Sequence, residues 1–279
     1  MSISWYPGHM AKAKRQLQDQ LSRTDVVVEV CDARLPTSSR NPDLDEMVMY
    51  KQRILLLNKA DLADPKTSLA WEKYFKQQDM TVFALNSLRS AARIIPLIEK
   101  SAQQKIENAQ KRGIKKTVRA MVVGVPNVGK STLINLIKGS SSIKTEDRPG
   151  VTRSTQWFKV TPYLELMDSP GMLWPKLEDP LAAKRLAYIG SIRDQVYDTM
   201  HLAIELLDYL MENHQNALMQ RYKLVDETLK GQELLEAICK NRGFLVRGGE
   251  LDIDRGIVAV LDEFRGGKIG RITLEKPPL

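Results

Sequence analysis

Short runs of β-branched and aliphatic residues alternate with stretches of helical periodicity along the first two thirds of the chain. Val26–Cys31, Ile54–Leu57, Thr81–Leu85, Ala120–Val123, Thr155–Val160 and Tyr163–Met167 have the length and composition of strands. The segment from about Ala11 places Leu17 and Leu21 on one helical face and Lys12, Lys14 and Arg15 on another. The segment from about Ser90 carries Ile94, Ile95, Leu97 and Ile98. After Ser131, Leu133, Ile134, Leu136 and Ile137 keep a helical spacing. From about Leu177 the strand signal ends. Leu181, Leu186, Ile189, Leu202, Leu206, Leu210, Leu234, Ile238, Ile257, Leu261 and Phe264 then recur at helical intervals. The pattern predicts an α/β domain over residues 1–176 and an all-α domain over 177–279.

Four short motifs sit where these strands end. Gly124-Val-Pro-Asn-Val-Gly-Lys-Ser131 fits the phosphate-loop spacing between a strand and a helix. N–H groups at a helix N-terminus favour an anion there. Asn127, Val128, Gly129, Lys130, Ser131 and Thr132 are therefore the expected phosphate-binding set. Lys130 reaches the β- and γ-phosphates, and Ser131 holds Mg²⁺. Asn58-Lys-Ala-Asp61 follows the second strand directly. A carboxylate at Asp61 can accept both N1–H and the 2-amino group of guanine, a donor pair that adenine lacks. Asn58 can meet O6 and N7, and the Lys59 stem can lie across the base. Asn86 and Ser87 follow the third strand and place backbone groups near guanine O6. Asp168-Ser-Pro-Gly171 closes the sixth strand; Asp168 is expected in the Mg²⁺ shell, with the Gly171 N–H facing the γ-phosphate. Thr152, in the loop before the fifth strand, is the candidate switch ligand to Mg²⁺.

The order of these motifs is unusual. An ordinary GTPase runs from phosphate loop to switch threonine, D-x-x-G and then N-K-x-D. Here N-K-x-D comes first and D-x-x-G last. The same ring has been opened between D-x-x-G and the strand before N-K-x-D, a cut that surface termini tolerate. The expected fold is thus a circularly permuted P-loop GTPase domain, a mostly parallel doubly wound sheet, followed by the helical domain. No glutamine follows Gly171, where many GTPases use one to orient water; Met172 and Leu173 stand there. The permutation brings the N-terminal helix to that place, which makes His9 the candidate to position the water. Read without that context, a lone histidine is a surface residue or a helix cap.

Composition adds less. The chain has 279 residues and a formal charge of +8. That excess suits a nucleic-acid partner but also occurs without one. Lys100 to Arg119 is strongly basic, as are Arg242, Arg247, Arg265, Lys268, Arg271 and Lys276. Each group reads equally as an RNA face or a solvated surface. Cys31 and Cys239 have no disulfide or metal spacing and read as reduced core residues. No apolar signal core or membrane-length run is present, so a cytoplasmic protein without a membrane span is expected; a monomer is expected when the protein is free.

The sequence resembles the circularly permuted GTPases. The resemblance rests on Trp5–Ala13, Asp32-Ala-Arg34, Asn58–Asp61, Gly124–Ser131, Pro149–Thr152, Asp168–Gly171 and Phe264–Thr273, and so spans nearly the whole chain. It implies a GTP-hydrolysing factor for late assembly of the large (50S) ribosomal subunit that binds rRNA, hydrolyses GTP to GDP with Mg²⁺ and is stimulated by the ribosome. It also points to His9 as catalytic, with Lys130, Thr152 and Gly171. Asn127 stands where cation-dependent relatives carry an asparagine that ligates K⁺; an asparagine suited to a tight turn is the other reading. Two other functions remain open on the sequence. One is an RNA scaffold that holds guanine nucleotide with negligible turnover, favoured by the missing glutamine; the other is a signalling switch with a protein effector.

Overall fold

A computed structural model describes residues 7–86, 93–140, 157–169 and 179–278, with side chains in the first helix from Arg15 onward. The α/β part runs α1 (Pro7–Ser22), β1 (Val26–Asp32), α2 (Pro42–Met47), β2 (Gln52–Asn58), α3 (Pro65–Gln77), β3 (Thr81–Ala84), α4 (Ile94–Ser101), α5 (Gln103–Gln110), β4 (Val118–Val123), α6 (Lys130–Ser140), β5 (Trp157–Thr161) and β6 (Leu164–Asp168). The strands form one sheet in the order β3-β2-β1-β4-β6-β5. Every neighbouring pair is parallel except β5 with β6.

A parallel sheet must be covered on both faces, which is why its strands read as unbroken apolar runs. Alternation along β1 shows how. Val26, Val28 and Val30 face one core with Ile54, Leu56, Ile94 and Ile98. Val27 faces Leu17, Leu21 and Leu44, and Cys31 faces Trp71 and Phe75. Leu17 and Leu21 are 3% and 2% exposed, so α1 docks by the stripe its sequence predicts. Both cysteines are free and buried.

The phosphate-loop strand β4 lies at the centre of the sheet. The D-x-x-G strand β6 is on one side and β1, leading to the N-K-x-D strand β2, is on the other. Chain order is permuted while the ring of strands is kept. Asn58, Gly124 and Asp168 all fall at or just past carboxyl ends of parallel strands, where doubly wound folds gather their ligands.

The helical part holds α7 (Pro180–Tyr188), α8 (Thr199–Asn213), α9 (Gln215–Tyr222), α10 (Gly231–Arg242) and α11 (Ile253–Arg265). Aspartates 179, 198 and 252 cap α7, α8 and α11 by accepting from backbone N–H groups of the first turn. The apolar core is continuous from the sheet into this bundle: Val125, Val128 and Leu133 belong to the same cluster as Leu186, Ile189, Leu206 and Phe264. The residues after α11 run back over the α/β part as a strap. There the Ile272 N–H donates to Leu62 O and the Leu274 N–H to Arg34 O. Trp71 Nε1 donates to Glu275 O, while the Glu275 carboxylate accepts from the Thr37 and Ser38 N–H groups.

Three arginines read as part of an RNA face have inward duties. Arg265 pairs with Asp194 at 2.6 Å, Arg242 pairs with Glu263, and Arg271 donates to Ala63 O and Ala60 O at 3.0 and 2.9 Å. Sequence could not separate these from solvated charges, because their partners lie elsewhere in the fold. In the basic 100–119 stretch, Lys105 and Lys116 pair with Asp25 at 3.6 and 3.0 Å, and Arg119 pairs with Glu165 at 3.1 Å.

Candidate functional site

The phosphate loop turns from β4 into α6 through two glycines that nothing else can replace. Gly124 has φ +150°, and a Cβ there would strike Val30 O; Gly129 has φ +96°, and a Cβ there would strike the Asn58 amide nitrogen. The second approach carries a contact between motifs: Asn58, 1% exposed, donates through Nδ2 to Val128 O at 2.7 Å. Lys59, in a left-handed conformation with φ +59°, donates through Nζ to Asn127 O at 2.6 Å and lies 3.2 Å from Asp32 Oδ2. The N-K-x-D loop and the phosphate loop are therefore held together by N-K-x-D side chains reaching phosphate-loop carbonyls. Asp61 is exposed just beyond, where a base can reach it, and Asn86 is partly buried nearby in sequence to β3.

Lys130 is 5% exposed, and its Nζ donates to Val125 O at 2.7 Å. Burial pushes its ammonium down to about 8, against an upward pull from Asp168. A bound phosphate adds negative charge beside this group and raises its pKa. Nucleotide binding should therefore take up protons increasingly as the pH rises from about 7 to about 8.5. The check is the dependence of the calorimetric binding enthalpy on buffer ionisation heat; no such dependence at the higher pH would remove Lys130 from the phosphate contact.

Asp168 and Ser131 meet at the mouth of the loop, with Ser131 Oγ donating to Asp168 Oδ2 at 3.2 Å. Burial pushes the Asp168 carboxyl up, opposed by Lys130 and by the Ser131 hydrogen bond. Asp168 Oδ1 is buried and has no hydrogen-bond partner among the described residues. An anionic oxygen left without a donor beside a hydroxyl suits a hard divalent cation completed by phosphate oxygens and water. These two residues fit Mg²⁺. Thr132 is exposed on the first turn of α6. Asn127 is exposed with φ +61°, a conformation asparagine tolerates well, and its Nδ2 donates to Gly190 O at 2.5 Å.

Four sequence-predicted residues are not placed. Ser87, Thr152 and Gly171 lie outside the described residues. His9 falls in the first turn of α1, but its side chain also lies outside them.

A family model described as "50S ribosome-binding GTPase" matches residues 119–238. Ribosome biogenesis GTPase A of Bacillus cereus is 43% identical over 280 residues, covering 99% of this chain and 95% of that protein. The chain belongs to the ribosome biogenesis GTPase A family. The family's Thermotoga maritima member is 32% identical over 99% of this chain. A crystal structure of GNP-bound YlqF from T. maritima superposes with a TM-score of 0.67 at 29% identity, covering 95% of this chain and 98% of that one. As a member of the ribosome biogenesis GTPase A family the chain is a GTPase with an α/β P-loop fold, and it binds guanine nucleotides. Among the described residues no helix is long and apolar enough to cross a membrane.

The site also contains residues that motif reading missed. Arg34 is 1% exposed and makes a two-pronged pair with Asp32 at 2.9 and 2.8 Å. Its Nη1 donates to Phe264 O and Arg265 O, the last carbonyls of α11. Ser191 is 4% exposed and donates to Pro126 O at 2.7 Å. Arg34 was visible only as a letter in a family motif, and Ser191 carries no sequence signal at all.

Proposed function

We propose that this protein is a GTP-hydrolysing assembly factor acting in late maturation of the large (50S) ribosomal subunit, binding rRNA of the pre-ribosomal particle when GTP is bound. The observation that carries this is the full-length match to proteins named for ribosome biogenesis, helical region included, together with the joined phosphate and N-K-x-D loops. In this reading residues 1–176 are the GTPase domain and 177–279 the helical, rRNA-contacting domain.

The reaction is in-line attack of water on the γ-phosphate, in which positioning and charge stabilisation do most of the catalysis. Asp61, Asn58 and Lys59 hold the guanine base, with Asn86 and Ser87 behind it. The N–H groups from Asn127 to Thr132 and the Lys130 ammonium cradle the phosphates. Ser131 and Asp168, with Thr152 from the switch loop, would hold Mg²⁺, which neutralises charge on the β- and γ-oxygens when bound. Gly171 offers its N–H to the γ-phosphate, so its segment moves when that phosphate leaves. His9 orients the water in place of the missing glutamine. Asn127 is the candidate K⁺ ligand, and turnover should be faster in K⁺ than in Na⁺; equal rates would remove the ion from the mechanism.

The test of the proposal is co-sedimentation of the full chain with large subunits in a non-hydrolysable GTP analogue and in GDP, with turnover measured with and without subunits. Binding in the analogue alone and faster turnover with subunits are expected. Indifference to nucleotide and to subunits would overturn the proposal. His9→Ala should lower subunit-stimulated kcat about 10²-fold with GTP affinity nearly intact; unchanged stimulated turnover would assign the water to another group.

A further inference from the structure

The phosphate loop is not fastened by the sheet alone. Beyond α7 the chain makes a turn at Gly190, with φ +74°, and Ser191. This turn grips the first half of the phosphate loop from the helical side: Ser191 Oγ donates to Pro126 O, and the Asn127 amide donates to Gly190 O. The turn is itself fixed by Arg265, whose guanidinium donates to Ala187 O at 3.0 Å and Tyr188 O at 3.3 Å while pairing with Asp194. Arg265 ends the helix whose last carbonyls are held by Arg34. Arg34 is bound to Asp32, Asp32 to Lys59, and Lys59 to Asn127 O. The contacts close into a ring that passes through both nucleotide loops and the helical region.

We infer that the Gly190–Ser191 turn is a working part of the nucleotide site, with Ser191 a positioning residue that holds Pro126 and Asn127 in their binding geometry. The inference rests on Gly124–Ser131 being the GTP phosphate loop. Asn127 sits at the exposed tip in a left-handed conformation. A loop free at that tip must be ordered each time nucleotide binds, and ordering weakens affinity. The Ser191 hydroxyl, donating to Pro126 O, and the Gly190 carbonyl, accepting from the Asn127 amide, remove that cost beforehand. Coupling of this kind is reciprocal: whatever factor the docked turn adds to nucleotide affinity, bound nucleotide adds to docking of the helical region.

Two measurements on the full chain test it. The first is affinity for fluorescently labelled GDP in Ser191→Ala, with Arg221→Gln as control. Arg221 pairs with Glu263 inside the helical region and has no part in the ring. Ser191→Ala should weaken GDP binding about tenfold, the loss of one buried hydrogen bond, and Arg221→Gln should leave it unchanged. Equal affinity in Ser191→Ala and parent, or equal weakening in both variants, overturns the inference. The second measurement needs no variant. Hydrogen exchange is followed in the peptide holding the Ile272 and Leu274 amides, which bond to the α/β part at Leu62 and Arg34. GDP should slow exchange there as well as at the two nucleotide loops. Slowing confined to residues 58–61 and 124–131 overturns the coupling while leaving the nucleotide site in place. Parent protein that binds no GDP at all would instead overturn the reading of the site, and this inference with it.

Discussion

Replacing Arg34 with alanine should lower the unfolding free energy by about 3–5 kcal/mol, because it strands a buried carboxylate. Asp32 is 0% exposed. Burial alone would raise its pKa, but the Arg34 guanidinium, helped by Lys59, holds the carboxyl down at about 2. A folded-state pKa below the unfolded value means that this contribution is fully present above about pH 4 and fades as the pH falls toward 2. In Arg34→Ala, Lys59 and the backbone N–H of residue 34, which donates to Asp32 Oδ1 at 3.0 Å, remain to compensate, but the guanidinium charge is gone, so Asp32 protonates at a higher pH. The gap between parent and variant should therefore be full at neutral pH and narrow as the solution becomes acidic. Loss of the donors to Phe264 O and Arg265 O adds a component that does not titrate. Urea unfolding across this pH range measures both parts. A difference below about 1 kcal/mol at neutral pH would show that Asp32 finds another partner, and a gap that ignores pH would show that the unpaired charge is not the cause.

Asp61→Asn should turn the site from guanine toward xanthine nucleotides, with GTP affinity falling about 10³-fold. A site built to pair with a polar group rejects a ligand that leaves its own groups unpaired by factors of this size or more. A carboxylate at Asp61 can accept two donors from guanine; an amide accepts one at most and presents N–H to the other. Xanthine has a 2-oxo group there, which accepts what the amide offers. The exchange is expected to be clean because the loop backbone is held independently of Asp61. The Ala60 N–H donates to Leu85 O, Ala60 O accepts from Arg271, and the Leu62 N–H donates to Lys59 O. Competition between GTP and XTP for a labelled nucleotide gives the result directly, and an unchanged preference would mean that Asp61 does not read the base.

Residues that act through local sequence were legible, and residues that act across the fold were not. Asn58, Gly129, Lys130 and Asp168 could be found because each motif is short and follows a β-branched run that must be a buried strand. The strands themselves were legible because a sheet covered on both faces leaves an unbroken apolar signature. Helix α5 was not, since Ile106 is its one large apolar side chain and none of its residues is fully buried, so no apolar period marks it. The strap after α11 escaped because it is short: Ile269, Ile272 and Leu274 bury against the core, and the rest of its hold comes from backbone N–H groups and the side chains of Arg271 and Glu275, which no period along the sequence marks. Arg34 meets its α11 partners 230 and 231 residues further along the chain, and Ser191 meets Pro126 across 65. No window along the sequence contains both members of such pairs.

The strap also fixes when the molecule can be finished. Residues 272–275 are made after every strand of the sheet, and they supply the bonds at Leu62, Arg34 and Trp71 beside the guanine loop. Domains fold in the order of their synthesis. During translation the sheet and both nucleotide loops therefore exist before the piece that locks them. A nascent chain holds an open, unbraced site, and the brace closes only once these late residues are clear of the translating ribosome. Completion of the site is tied in time to the synthesis of residues 272–275, so a copy terminated before Ile272 lacks the latch beside the N-K-x-D loop.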